Sequence, residues 1–310
     1  MRDPAQRGIR SHVPSEPDSH YTGQHEAQMK NNVKYSIGDV SRICNISKKA
    51  LRYYDDINII SSQRQEYNNY RYYTHDALLA VPVIKYYKQM GFKLDEMRSF
   101  IEEREISCVY RELKATFRGK IEELELLQEH IGRQYVSIKD WYDLIAEAEM
   151  VIENGIREVS IKYVDAAEYL FQEQTYEADL KSAIINIDWT NYVNSLSNEV
   201  TGPIILNFTS RDRRMRDESQ PMRILQKTLK PASANTRMPF GGGMMASCYH
   251  IGPHHTIRET YARLCRWADR HGYLLAGETF ERYVTDYWTT RNDAQFVTEI
   301  LITASRHKAT

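Results

Sequence analysis

The spacing of apolar and polar positions divides the chain into stretches of different period. Up to residue 33 there is almost no large apolar side chain among the Pro, Ser, Gly, Gln and His. So little surface is available for burial that the entropy of ordering goes unopposed, and residues 1–33 are expected to be a disordered extension. From Tyr35 the spacing becomes helical. Ser36 is the expected N-cap for IGDVSRIC, whose Ile37, Val40 and Ile43 share a face, and Asn45 and Ile46 turn the chain tightly into Ser47, the cap of a second short helix, KKALRYYDD. Two short helices joined by so few residues have the geometry of a helix-turn-helix. In the run from Ile59 to Tyr73, Asn68 and Asn69 suit a hairpin tip between two short strands, which predicts a wing. Thr74 caps a further helix (HDALLAVPVIKYYKQMGF), and LDEMRSFIEE follows the Gly91 break, so residues 34–106 are expected to fold as a winged four-helix module.

Phe117, Ile121, Leu124, Gln128, Ile131, Tyr135, Ile138, Tyr142 and Ile145 then alternate in steps of four and three, with Glu, Lys and Arg around them. A seam this narrow predicts a coiled-coil dimerisation helix over 107–154 and hence a homodimer; the alternative is a helix that packs on its own C-terminal domain. Asn154 and Gly155 end it. Beyond them the period falls to two, in EVSIKYV and AEYLFQEQTY, followed by a helix from about 178 to 197 and the strands GPIILNFT and MRILQKTL. The same order returns in MASCYHI, IRETYARLCRWADRHG, ETFERYV and VTEILITA. The expected fold class is therefore α+β and multidomain, with residues 155–306 built as two β-α-β-β pseudo-repeats that share one sheet system.

Composition refines this organisation. At 310 residues the chain has room for two folded units and a connector. Its net charge of -1 conceals a basic stretch, because Lys34 to Ser99 carries eleven Lys or Arg against seven Asp or Glu. Cys44, Cys108, Cys248 and Cys265 are too scattered for the short spacings of a zinc or iron–sulfur site, so no cofactor is expected. No apolar run is long enough to span a membrane and the first thirty residues lack a secretion signal, which predicts a cytoplasmic, nucleoid-associated protein with no membrane partner.

The second short helix projects Lys48, Lys49, Arg52, Tyr53 and Tyr54, cations and phenols on the element that would enter a major groove; the wing adds Tyr70, Arg71 and Tyr72, and Lys93 adds a further phosphate grip. In the C-terminal half Glu281 and Glu299 each lie mid-strand among apolar neighbours, where a carboxylate needs a partner. Trp189, Tyr192, Tyr249, Tyr283 and Trp288 are aromatics that the topology gathers around them, an acidic aromatic pocket suited to a lipophilic cationic small molecule.

On the residues YSIGDVSRICNISKKALRYYDDINII and NNYRYYTHDALLAVPVIKYYKQMGFKLDEM, the N-terminal part resembles the MerR family of transcription regulators. Through CYHIGPHHTIRETYARLCRWADRHGY, FERYV and TEILITA, residues 157–305 resemble the GyrI-like effector-binding domain, and the combination is similar to BmrR-type multidrug-binding activators. The resemblance implies a regulator that binds a near-palindromic promoter with an overlong spacer, then bends and untwists it for RNA polymerase when ligand arrives. It also implies that Glu281 and Glu299 match the pocket glutamates, with Tyr249 and Trp189 at aromatic positions. Deforming promoter DNA costs roughly 1 to 6 kcal/mol, within reach of a ligand's differential affinity.

Three other readings stay open, one of them a purely architectural DNA binder without ligand, which the acidic aromatic composition of the last domain disfavours. A GyrI-like hydrolase fused to the DNA-binding module would use Glu281 as a base with its pKa raised by burial, although GGGMM at 241–245 lacks the Lys and Ser/Thr of a phosphate-binding loop. A metal- or redox-sensing regulator would use Cys108, near the start of the long helix, or His250, His254 and His255, which read as loop residues around Gly252 and Pro253.

Overall fold

The structure is a computed structural model that describes residues 33–64, 70–101 and 109–306. Residues 1–32 of the expected extension, the hairpin tip at Asn68 and Asn69, and Cys108 lie outside the described residues. The chain divides into two compact units, on either side of Leu124.

In the first unit, Tyr35–Ser36 (β1) leads into helix Ile37–Ile43 (α1). The Ser36 hydroxyl accepts from the backbone N–H of Asp39, and the Asp39 carboxylate accepts from that of Ser36, a reciprocal cap. Asn45 takes a left-handed φ of 46°, which permits the tight turn into Ser47 and helix Lys48–Asp56 (α2). Gln63–Arg64 (β2) and Arg71–Tyr73 (β3) pair antiparallel, and β1 adds to the other edge of β3, giving the order β1-β3-β2. The strand at β1 is too short to show as a period. Helices His75–Gln89 (α3) and Leu94–Ile101 (α4) close the unit over a core that includes Val40, Leu51, Tyr54, Tyr73, Val81, Ile84 and Met97.

One uninterrupted helix, Val109–Glu153 (α5), carries the seam. Ile131, Tyr135, Ile138, Tyr142 and Ile145 are 52 to 71% exposed. Phe117 departs from the expected seam: it stacks on Tyr87 and meets Phe92 edge-on, because that stretch of helix covers the core of the first unit. A different stripe of α5, Leu144, Ala148 and Val151, packs on the second unit. The helix thus buries one stripe near its end and leaves the seam uncovered.

The second unit holds strands Ser160–Val164 (β4), Ala167–Tyr176 (β5), Val200–Phe208 (β6), Gln220–Thr228 (β7), Arg237–Phe240 (β8), Gly243–Ile251 (β9), Tyr273–Leu275 (β10), Thr279–Thr285 (β11) and Val297–Arg306 (β12). They form one antiparallel sheet in the order β4-β9-β12-β11-β6-β7-β5-β8, with β10 on β12. Within it β5-β7-β6 and β9-β12-β11 run in the same order and meet at β6·β11. The expected helix over 178–197 is two, Leu180–Ile184 (α6) and Ile187–Ser195 (α7), because the Asn186 side chain accepts from the Trp189 N–H at 2.7 Å and starts a new helix. A one-turn helix, Arg211–Met215 (α8), interrupts the β6–β7 connection, and Ile257–His271 (α9) follows β9.

Register decides which residues can meet. Glu281 lies opposite Ile300 and Leu206, whereas Arg282 lies opposite Glu299 and Ile205. Directly opposed side chains share a face, and neighbours along a strand do not, so Glu281 and Glu299 point to opposite faces of the sheet. On the Glu281 face, Leu206, Phe208, Ile224 and Tyr283 pack with Trp189 and Val193 of α7, and Cys248 and Ile300 with Tyr261 and Leu264 of α9. On the other, Ile205, Leu225, Phe280 and Leu301 form one cluster, and Val284 and Val297 pack with Leu144, Ala148 and Val151 of α5 in another.

Between β8 and β9, Gly241 has a φ of 88°, and a Cβ there would lie 2.1 Å from the Asp165 carbonyl oxygen. Gly241→Ala is expected to lower the unfolding midpoint of this unit by an amount equivalent to about 2 kcal/mol or more. Gly243→Ala, where a Cβ meets nothing within 4 Å, should leave it nearly unchanged. Equal midpoints for the two variants in a thermal melt would contradict this account.

Candidate nucleic-acid interface and ligand cleft

α2 is amphipathic in the sense a groove-reading helix needs. Leu51 and Tyr54, three residues apart, enter the core, while Lys48, Lys49, Arg52 and Tyr53 are exposed. Tyr54 is therefore a core residue, a correction to its place among the contacts, and the reason is helical spacing from Leu51. Arg71 also has a different job from the one expected: its Nε donates to Asp55 at 2.7 Å and its Nη2 to Asp56 at 3.2 Å, tying the β3 strand to the end of α2. Burial alone would push the Asp55 carboxyl up, but hydrogen bonds from Ser62 and Arg71 outweigh it and hold the group below its ordinary value. Tyr70 and Lys93 are exposed, and Tyr72 is half-buried beneath Lys34, whose Nζ lies 4.4 Å from the ring centre.

The seven ligand candidates do not converge. Glu281 is fully buried, and Arg214 of α8 donates to it through Nε at 2.8 Å and Nη2 at 3.2 Å. Tyr261 adds its hydroxyl at 2.8 Å, and the Tyr283 hydroxyl donates to the other oxygen. Burial opposes the Arg214 charge, but the adjacent Glu281 carboxylate more than compensates and holds the guanidinium charged. Burial also pushes the Tyr261 and Tyr283 phenols well up, so both stay neutral donors. Glu281 is thus neither an open receptor for an incoming cation nor an uncommitted base. The partner it needed is Arg214, which sequence reasoning missed because RDRRM reads as a solvated charge run.

Glu299 sits on the opposite face in a network of its own. Arg282 donates to it at 2.8 Å, with Lys162 and Ser247 completing the set. Burial pushes this carboxyl up, and Arg282 and Lys162 overcome that to hold it low. Arg282 also reaches Glu147 on α5, which accepts the Tyr249 hydroxyl at 2.7 Å. Tyr249 therefore belongs with Glu299, on the side away from Glu281. Trp189 is core, its indole N–H donating to Gln226 at 3.0 Å. Tyr192 packs against the same core and lines a separate cavity beside Gln172 and Gln174. Trp288 is 67% exposed and joins none of these groups, because the Asp286 carboxylate caps the turn that carries it and points it outward.

What the Glu281 face does contain is a cleft of 420 Å³ whose walls include Tyr176, Arg214, His254, Tyr287 and Phe296. His254 is 7% exposed, stacked on Phe296 at 4.8 Å and edge-on to Tyr283 and Tyr287. Neither of its ring nitrogens has a hydrogen-bond partner among the described residues. Burial pushes its pKa down to about 4, so the imidazole is neutral at physiological pH. His254 was expected in a loop; the buried His is signalled only by its place between a strand and a helix start. His250 is buried at the end of β9 and bonded to Thr260 and the Pro253 carbonyl. Among the described residues, no three His, Cys, Asp or Glu side chains gather as metal ligands, and no helix is long and apolar enough to cross a membrane.

A basic helix over a winged module and a cleft on a curled sheet together define a ligand-binding regulator of the helix-turn-helix class. Residues 35–103 match the MerR HTH family of regulatory proteins and residues 157–304 match the GyrI-like small molecule binding domain. The chain thus carries a MerR-type helix-turn-helix and a GyrI-like domain. It is 22% identical to the Bacillus subtilis multidrug-efflux transporter 2 regulator, over 81% of this chain and 89% of that one. It is 34% identical to the multidrug-efflux transporter 1 regulator of the same organism, over 40% of this chain and 46% of that one, so this match spans under half the relative's length. A solved EcmrR–DNA complex covers 88% of this chain at 18% identity with a TM-score of 0.42.

Two outcomes follow from this geometry. On an operator selected from a random duplex pool, Lys49→Ala and Arg52→Ala should each weaken binding and each reduce the slope of log affinity against log salt by about one. Arg71→Ala should instead lower the melting midpoint of the first unit, and an unchanged midpoint would remove its structural role. The second outcome concerns Asp286, which burial pushes up to about 6 from 3.8. Its contribution to stability falls as pH rises from 3.8 to 6 and stays low above that, because the unfolded chain ionises it first. Asp286→Asn is therefore expected to stabilise the unit at pH 7.5 by up to about 3 kcal/mol and to match the parent in acid. His250 and His254, both pushed down by burial, act in the opposite sense in parent and variant alike. A gain that is the same at both pH values would refute the assignment to Asp286.

Proposed function

We propose that the chain is a ligand-responsive, DNA-binding transcription activator that acts as a homodimer on promoter DNA, with RNA polymerase holoenzyme as its partner there. The observation that carries this is the presence in one chain of an exposed cationic helix, Lys48 to Tyr53, and of a 420 Å³ cleft containing a buried imidazole with no hydrogen-bond partner among the described residues. An unpaired polar group in an aromatic cavity is stabilised by a ligand that bonds to it. The relatives named as multidrug-efflux regulators support the same reading.

Dimerisation uses the uncovered seam of α5. Five large apolar side chains at heptad spacing, each more than half exposed, suit a second copy of the same helix. Two copies present two α2 helices, as a near-palindromic operator requires. The ligand is a lipophilic, drug-sized molecule, cationic in the preferred case, seated against Tyr176, His254, Tyr287 and Phe296, and its binding drives distortion of an overlong spacer.

The test uses the purified full chain. It should sediment as a dimer, bind its selected operator, melt at higher temperature with tetraphenylphosphonium, and stimulate transcription from that operator when the cation is added. Ile138→Asp with Tyr142→Asp should give a monomer that has lost operator affinity. A native chain that is monomeric at micromolar concentration, or that ignores duplex DNA at low salt, sinks the proposal.

A further inference from the structure

The carboxylate behind the Arg214 wall of the cleft already holds a cation, and that cation is part of the chain. Glu281 and Tyr283 stand on β11, Tyr261 on α9, Phe208 on β6 and Tyr176 on β5, so the shell comes from four separate regular elements. The Arg214 Cζ lies 4.9 Å from the Phe208 ring centre and 5.5 Å from that of Tyr176, while both Glu281 oxygens accept from the guanidinium. This is a complete box for a planar cation: a paired carboxylate on one edge and aromatic rings against the guanidinium. Arg214 sits on the one-turn helix α8, followed by Asp217 with a left-handed φ of 55°, and its Nη1 donates at 3.0 Å to the exposed Asp217 carboxylate. Arg214 also forms part of the cleft wall, so a molecule entering there meets the guanidinium before the carboxylate.

We propose that the box around Glu281 is a binding site for planar organic cations of the guanidinium or amidinium type, occupied in the free chain by Arg214, so that such a ligand binds by exchange with this side chain. The inference rests on the reading of the cleft as the ligand site and deepens it. Arg214 sets specificity: it keeps weakly matched cations out, because a ligand's apparent affinity is lowered by the small fraction of chains in which the box is vacant. An ammonium ion, a point charge without a second parallel donor, cannot reproduce the two-edged contact.

Chemical rescue in the full chain tests this. Arg214→Ala should melt at a lower temperature than the parent, since a buried carboxylate loses its partner. Millimolar ethylguanidinium should restore several degrees saturably, and equal concentrations of ethylammonium or potassium chloride should not. The parent should show no such gain. Arg214→Ala combined with Glu281→Gln should melt above Arg214→Ala and ignore ethylguanidinium; this pair also decides the matter where the single variant does not fold, recovery supporting the proposal and equal failure refuting it. Benzamidinium should bind Arg214→Ala about tenfold or more tightly than the parent. Rescue no better than with potassium chloride, or equal benzamidinium affinity in parent and variant, overturns the proposal. Either result leaves intact a reading in which the parent still binds its operator and responds to tetraphenylphosphonium, and loss of that response with rescue intact would sink the reading alone.

Discussion

A carboxylate taken out of water must be met by donors, and the C-terminal sheet is arranged around two that are. Glu281 and Glu299 are 0 and 1% exposed in the middle of adjacent strands. Removing one partner of such a pair costs about 3 to 5 kcal/mol, so the residues that satisfy each glutamate are constrained as strongly as the glutamate itself. For Glu281 they come from α8, α9 and β11; for Glu299, from β4, β9 and β11. Because strand side chains alternate, these two sets occupy opposite faces. One face therefore carries a cleft backed by a neutralised carboxylate, and the other becomes the seat of the last turns of α5.

The architecture was legible in the sequence wherever a period was long. The helix-turn-helix follows from Ser36 and Ser47 as caps, α5 from its seam, and the strands of the second unit from apolar alternation. Short elements were not legible: β1, α8, β8 and β10 have from two to five residues, too few to show a period. The break at Asn186 was hidden because a side-chain cap inside an apolar run leaves the pattern intact.

The site was legible in residue type and not in assembly. That Glu281 and Glu299 each need a partner is a statement about burial and can be made from the strand pattern. Whether they share a pocket depends on register, and register is set by pairing across long separations that one chain's sequence does not display. Tyr249 went with Glu299 and Tyr283 with Glu281 for that reason. Arg214 was invisible for another: among Arg211, Asp212, Arg213, Arg214 and Arg216, nothing local marks the one side chain that turns inward. Arg71 shows the same limit in the first unit, a cation that looked available for phosphate and is held by Asp55 and Asp56.

The placement of Glu281 and Arg282 next to each other on β11 has a physical consequence. Glu281 is held by Arg214, which forms part of the cleft wall; Arg282 faces the other way and is bonded to Glu299 and to Glu147 of α5. A strand that is hydrogen-bonded on both edges, to β6 and to β12, resists motion of one residue without the next. The charge environment of the cleft and the grip on the terminal turns of α5 are thus borne by consecutive residues of one rigid element. Alternation along a strand, which separates the two glutamates into different sites, is also what lets a single strand present one site to each side of the sheet.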